Sequence, residues 1–395
     1  MNNEALLSEI DEIFDDVIKI RRTLHSYPEL SFQEFKTTEL IQNYLEGIGI
    51  KTFRPSETGV VALLGDLSRE NCIAFRADID ALPIEEQTNL PFASKNNGIM
   101  HACGHDFHTS ILLGTAKILK KFENHLQVNI KLIFQPGEEK LPGGALKLIQ
   151  SGILENPNVS AIFAEHIDPE TEVGHISISG GTIMASADEL YWTIRGKGCH
   201  AAQPHLGNDT IRATTALLDS LYKLSDRIRD PLEPLLLAVT SINGGNATNV
   251  YPSIIKLAGT LRTFNDDIRK SALENINKIC KFISGAYDLD VDFNPILGYP
   301  PLKNDILLSN YIKKLASELF GNTKVLDFKP KLWAEDFAFY SQKVPSVFWF
   351  LGTKPKGYVG EIFGLHSSKL NPDELAIKFG IALFVKIALT YQNFK

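Results

Sequence analysis

Residues 72–78, CIAFRAD, followed by TSILLGTAKILKKF at 109–122 and VNIKLIFQ at 128–135, decide the fold. The first and third are short apolar runs of strand length, and the segment between them repeats its apolar residues at helical spacing. Strand, helix, strand in this order predicts helices packed on a largely parallel sheet. The alternation continues with GALKLIQSGI (144–153) as helix and VSAIFAEH (159–166) as strand. Upstream, Leu6, Ile10, Ile13, Phe14, Val17, Ile18 and Leu24 recur at helical spacing, and Ser31 with Glu34 reads as a capping box for a second helix ending near Gly47.

Near Ala185 the pattern changes. ELYWTIRG reads as strand, DTIRATTALLDSLYKL as helix, LLLAVTSI and SIIKLAGTLRTF as strands, ALENINKICKFI as helix and VDFNPIL as strand. That order is the split βαββαβ sandwich, of about 110 residues. Beyond Pro300 helix and strand alternate again, with SVFWFLG as a buried strand and ELAIKFGIALFVKIAL as an amphipathic closing helix. The expected organisation is an α/β domain in two parts, 1–185 and 300–395, divided by an inserted ferredoxin-like βαββαβ domain at 186–299.

At 395 residues and 44% hydrophobic, the chain exceeds the size at which one core stops growing, so two domains are expected. The 40 Lys and Arg face 47 Asp and Glu without a long basic run, which argues against nucleic acid or an anionic membrane surface as partner. A small-molecule substrate is expected. The acidic start, MNNEALLSEIDEIFDDV, has no basic stretch followed by an apolar core, and no apolar run approaches the roughly 20 residues of a membrane span. Four scattered cysteines, Cys72, Cys103, Cys199 and Cys280, do not read as a disulfide framework, so a reduced, cytoplasmic setting is expected.

In open α/β sheets ligands bind beyond the carboxyl ends of the strands. CIAFRAD runs into Asp78 and Asp80, VNIKLIFQ into PGEE with Glu138 and Glu139, and VSAIFAEH into His166. HACGHD (101–106) precedes a helix, and EIFGLHSS places His366 in a loop after another strand. Each piece alone has an ordinary structural reading: a solvated turn, a hydrogen-bonded histidine, a capped loop. Their coincidence at one sheet edge changes this. Cys103, His105, Glu139, His166 and His366 offer thiolate, imidazole and carboxylate, the donor set of zinc and neighbouring divalent ions. Five donors exceed the needs of one catalytic ion, so a two-metal site with a bridging donor is expected. Of two adjacent glutamates, one suits a ligand and the other a base that takes a proton from metal-activated water, which is hydrolase chemistry.

HSYPELSFQE (25–34), RADIDALP (76–83), HACGHDFHT (101–109), QPGEEKLPGGA (135–145), GKGCHAAQPH (196–205), GTLRTF (259–264) and AEDFAFY (334–340) occur in the order seen in one family. The chain resembles, over nearly its whole length, the metal-dependent amidohydrolases that include hippurate hydrolases, auxin-conjugate hydrolases and bacterial N-acyl-amino-acid amidohydrolases, within the aminoacylase and carboxypeptidase superfamily. The resemblance implies a zinc-exopeptidase-like catalytic domain and an inserted lid that also serves for homodimerisation. It implies two divalent ions, zinc or manganese with cobalt or nickel as alternatives, held by Cys103, His105, Glu139, His166 and His366. Cys103 would stand where distant relatives have a bridging aspartate, and Glu138 would be the general base. Asp80 would orient a ligand without binding metal, His200 would polarise the scissile carbonyl from the lid, and Asn249 and Arg262 would hold substrate. The expected activity is hydrolysis of the amide of an N-acyl amino acid or related conjugate. Dipeptidase or carboxypeptidase action with the same centre is the enzymatic alternative, and a metal-binding module without turnover is the other.

Overall fold

The computed structural model describes residues 2–66, 69–224, 228, 230 and 232–391. The chain divides into two compact units, one of Met1–Gly181, Lys303–Lys329 and Asp336–Lys395, the other of Thr182–Leu302 and Pro330–Glu335.

The first unit is built on an eight-stranded sheet. Its spatial order is Thr52–Phe53, Val60–Leu64, Asn129–Gln135, Cys72–Asp78, Val159–Glu172, Ser346–Lys354, Ile176–Ser177 and Val325–Leu326. The central strands, from Asn129–Gln135 to Ser346–Lys354, run parallel, and antiparallel pairing appears only toward the flanks. Every residue of Cys72–Asp78 and of Asn129–Gln135 is buried, as expected for parallel strands covered on both faces.

Alternation along Cys72–Asp78 assigns the two faces. Phe75 lies 4.8 Å from Phe384 of the helix Ala376–Thr390, which packs with Asn3–Ser26 and His105–Lys121 as the layer on that side. Arg76 points the other way, to Asp336, whose carboxylate also accepts from the N–H of Ala145 in the helix Gly144–Gln150. The closing helix was expected to be amphipathic; instead it is buried on nearly every side, because it lies between the sheet and the other two helices.

Three local expectations change. The helix expected from residue 109 begins at His105, because Gly104 at φ +84° turns the chain and a Cβ there would collide with Ile167. The strand carrying His166 runs on to Glu172, so His166 is not at its end. Finally, Ser31 and Glu34 form no capping box: the helix Phe35–Gly47 has no side-chain cap, and both residues bond to groups far along the chain, as described below.

The second unit holds a four-stranded antiparallel sheet in the order Leu235–Asn243, Ile254–Thr263, Ala187–Arg195, Asp290–Tyr299. The helices Thr210–Tyr222 and Asp266–Tyr287 bury Ala213, Leu217, Ile276 and Ile283 against Leu190, Trp192 and Leu257 of the sheet. This is the βαββαβ sandwich. A two-stranded ribbon pairs Cys199–His200 with Val250–Tyr251. Among the described residues no helix is long and apolar enough to cross a membrane.

Candidate metal centre

The centre draws on residues that follow the strands Cys72–Asp78, Asn129–Gln135 and Ser346–Lys354 and on His166 within the strand Val159–Glu172. Cys103, His105 and His166 form one group whose donor atoms lie within 4.8 Å of one another, and Cys103, Glu139 and His366 form another. The two trios share the Cys103 sulfur. All five donors expected from the sequence thus come together, with Cys103 common to both sets. His105, Glu138 and Glu139 form a further group of the same closeness.

Hydrogen bonds fix which atom each imidazole presents. His105 Nδ1 donates to Asp80 Oδ1 at 3.2 Å, leaving Nε2 buried without a partner. His166 Nδ1 donates to the Ile167 carbonyl at 2.8 Å, leaving Nε2 at 3.4 Å from Cys103 Sγ. Such a bond on the far nitrogen sets the tautomer and aims the near one. His366 is held by its backbone: its N–H donates to the Ala102 carbonyl at 2.7 Å, and its φ of +63° is a left-handed conformation that a histidine adopts at a cost. Its ring is half-exposed, with Nε2 at 3.3 Å from Glu139 Oε1. That carboxylate oxygen is buried and makes no hydrogen bond.

His108 is excluded as a donor. Its Nδ1 donates to Asp78 Oδ1 at 2.6 Å and its Nε2 accepts from the Ile167 N–H at 3.0 Å, so both nitrogens are used. It is a neutral strut between strand and helix, and burial lowers its pKa.

The charge of the cage favours a cation. Burial, then the neighbouring Glu139 and Glu138 carboxylates, push the Cys103 thiol well above its ordinary range. Burial alone would lower His105, but Asp78, Asp80 and Glu139 raise it to about 10. Orphaned His105 Nε2 and Glu139 Oε1, a shared sulfur and this anionic surplus fit divalent ions.

Asp80 is fully buried and does not itself join the trios. It accepts from His105 with one oxygen, and with the other from the Glu139 N–H at 2.9 Å and the Ser31 hydroxyl at 2.6 Å. Below it, Arg76 bonds Asp78 and Asp336 at 2.7 Å each, and Gln135 donates to both oxygens of Asp336. All three charged side chains are fully buried. Breaking such a network by removing one partner costs about 3–5 kcal/mol. Sequence reading gave Ser31 and Glu34 only a helix-capping role and gave none to Arg76, His108 or Asp336. The available signal was charge inside an apolar strand, the RAD of CIAFRAD, since such charge is buried only when paired.

His200, Asn249 and Arg262 lie in the second unit. The ribbon pairs Val250 with His200, and the Asn249 carbonyl accepts from the Ala201 N–H, so His200 and Asn249 are neighbours. His200 Nδ1 accepts from the Ala202 N–H at 3.1 Å, which leaves the ring proton on Nε2. Arg262 donates to the Leu332 carbonyl at 2.8 Å.

The sequence profile of the family described as peptidase family M20/M25/M40 matches residues 74–390. The chain is 41% identical over 354 residues to N-acetyl-L-cysteine deacetylase of Bacillus subtilis, covering 89% of this chain and 83% of that one. It is 34% identical over 395 residues to thermostable carboxypeptidase 1 of Saccharolobus solfataricus, 99% of each chain. The crystal structure of a Bacillus subtilis protein described as a dinuclear metal binding peptidase superposes with a TM-score of 0.84 at 34% identity, covering 98% of this chain and 100% of that one.

Proposed function

The chain belongs to peptidase family M20/M25/M40, and from that membership we propose that it hydrolyses the amide bond of N-acyl amino acids and related amino-acid conjugates. The observation that carries the reading is the pair of donor trios sharing Cys103, with Glu138 beside them. Two divalent ions would be held, one by Cys103, His105 and His166, the other by Cys103, Glu139 and His366. Zinc or manganese fits the mixed sulfur, nitrogen and oxygen set, with cobalt or nickel as alternatives. When bound, the ions supply Lewis acidity, polarising the scissile carbonyl and acidifying water.

The residues of the chain do the rest. Glu138, largely buried, takes the proton of the attacking water and passes it to the leaving amine. Asp80 keeps His105 and Glu139 aimed. His200 offers its Nε2–H to the carbonyl oxygen as negative charge develops there. Asn249 and Arg262 hold the substrate, the guanidinium suiting its carboxylate. The inserted domain, expected from the sequence at 186–299 with catalytic parts 1–185 and 300–395, acts as lid and homodimer surface. A reduced, cytoplasmic setting agrees with four free thiols.

The similarity to a carboxypeptidase over 99% of each chain favours a second reading, removal of the C-terminal residue from short peptides. Metal-reconstituted protein, assayed for free amino acid on N-acyl amino acids and on short peptides, separates the two. At least a tenfold higher kcat/KM on the N-acyl series is expected. The reverse order selects the peptidase reading, and no release with any of the four metals removes both.

His200→Ala should lower kcat by about 10²–10³-fold, the cost of one oxyanion donor, with metal content unchanged. Loss of metal in the folded variant would instead count His200 among the ligands. Mixed His200→Ala and Glu138→Gln subunits that regain activity would place the lid's action in trans.

A further inference from the structure

The stretch Ser31–Glu34 does two jobs far from its own helix. Glu34 is fully buried, and its Oε1 accepts from two backbone donors, the N–H of Phe32 and the N–H of Gly137, each at 2.8 Å. Ser31 donates to the same oxygen of Asp80 that accepts from the Glu139 N–H. Residues 31–34 therefore reach the N–H of the residue before Glu138 through Glu34, and the N–H of the residue after it through Asp80.

The backbone beside this clamp is left-handed at two residues, one of which is not glycine. Phe32 sits at φ +64°, where a bulky side chain is strained, and Gly137 sits at φ +67° with the Phe32 ring where a Cβ would be. The Phe32 ring is itself covered by the Lys147 ammonium at 3.9 Å. A strained turn persists only when its surroundings determine it, and here one carboxylate oxygen receives the N–H of the strained residue and the N–H of the turn glycine, beside the Gly144 N–H that donates to the Gly137 carbonyl at 3.1 Å.

We propose that Glu34 is a positioning residue for the general base, its carboxylate holding the Pro136–Gly137 turn so that Glu138 stands at the distance and angle its proton transfer needs. This rests on the assignment of Glu138 as base made above. Glu34 belongs to neither donor trio and its carboxylate bonds backbone N–H groups, so its effect passes through the turn that carries Glu138. A single acceptor oxygen does the work, and glutamine keeps that oxygen whereas alanine does not.

The test uses the full metal-loaded chain and the variants Glu34→Ala, Glu34→Gln and Glu34→Ala combined with Glu138→Gln. Misplacing a catalytic group by about 1 Å costs up to roughly 100-fold, so Glu34→Ala should lower kcat by about 10–100-fold with KM and metal content unchanged. Glu34→Gln should recover kcat to within about threefold. In the Glu138→Gln background the alanine change should cost nothing further, because residues acting as one unit are not additive. Hydrogen exchange of the peptide spanning 135–139 gives a readout independent of turnover: faster in Glu34→Ala, protected in Glu34→Gln. Unchanged exchange in Glu34→Ala overturns the clamp. A full further loss in the Glu138→Gln background, or loss of metal with kcat, shows that Glu34 acts elsewhere and also overturns it. Should Glu138→Gln itself stay fully active while exchange behaves as expected, the base assignment fails and the clamp on the turn stands.

Discussion

Glu138→Gln should leave bound metal at the parent level and cut kcat by about 10²–10⁴-fold, the usual worth of a general base. The substitution keeps shape and size and removes only the ability to take a proton, so folding and the neighbouring turn should be preserved. Metal content is the informative control, because Glu138 and Glu139 are adjacent and both reach His105. Glu139 Oε1 faces His366 and His105, at 3.3 and 3.9 Å, and belongs to the second trio. Glu139→Gln should therefore lose metal and activity together, whereas Glu138→Gln loses activity alone. Elemental analysis beside steady-state kinetics reads both. The opposite pattern, metal lost from Glu138→Gln and kept in Glu139→Gln, exchanges the two roles.

Cys103→Ser should lower occupancy of both metal positions at once, since the sulfur is the one donor atom common to the two trios. A hydroxyl would stay protonated where a metal-bound thiol would be a thiolate, so the variant would lose a negative charge as well as a soft donor. The fall in affinity should exceed the roughly 10–100-fold that loss of an outer supporting partner produces. Titration with zinc and with manganese, followed by activity at each occupancy, gives the measurement. Thiol labelling adds a second reading. Cys199, only half-buried, is first replaced by alanine, and labelling is run at alkaline pH because burial and the carboxylates raise the Cys103 thiol. Cys103 should then react faster in metal-free than in metal-loaded protein. Equal rates, or loss of one metal position only, would remove Cys103 as the shared ligand.

Both expectations depend on atoms that sequence reading could name by residue but not by orientation. The donor types at 103, 105, 139, 166 and 366 are chemical properties of the residues, and their places after strands or before a helix follow from periodicity. Which nitrogen each histidine presents is a property of the far side of the ring. His105 and His108 are three residues apart on one helix, so spacing gives them equal claims. Asp80 takes only Nδ1 of His105 and leaves Nε2 without a hydrogen bond, whereas Asp78 and the Ile167 N–H use both nitrogens of His108.

The sequence by itself determined the alternation that builds the parallel sheet and the βαββαβ order of the second unit, because both are written in short-range spacing of apolar residues. The pair Ser31 and Glu34 marks where such reasoning stops. Their spacing is that of a capping box, and a helix start does follow at Phe35. Only the folded chain shows that Ser31 bonds a carboxylate 49 residues away and Glu34 a backbone N–H 103 residues away. Capping would satisfy donors that water can reach, while Asp80 and the turn at Gly137 are buried, where an unpaired charge or N–H costs far more. The larger penalty takes the side chains, and it exists only once the tertiary structure has excluded water.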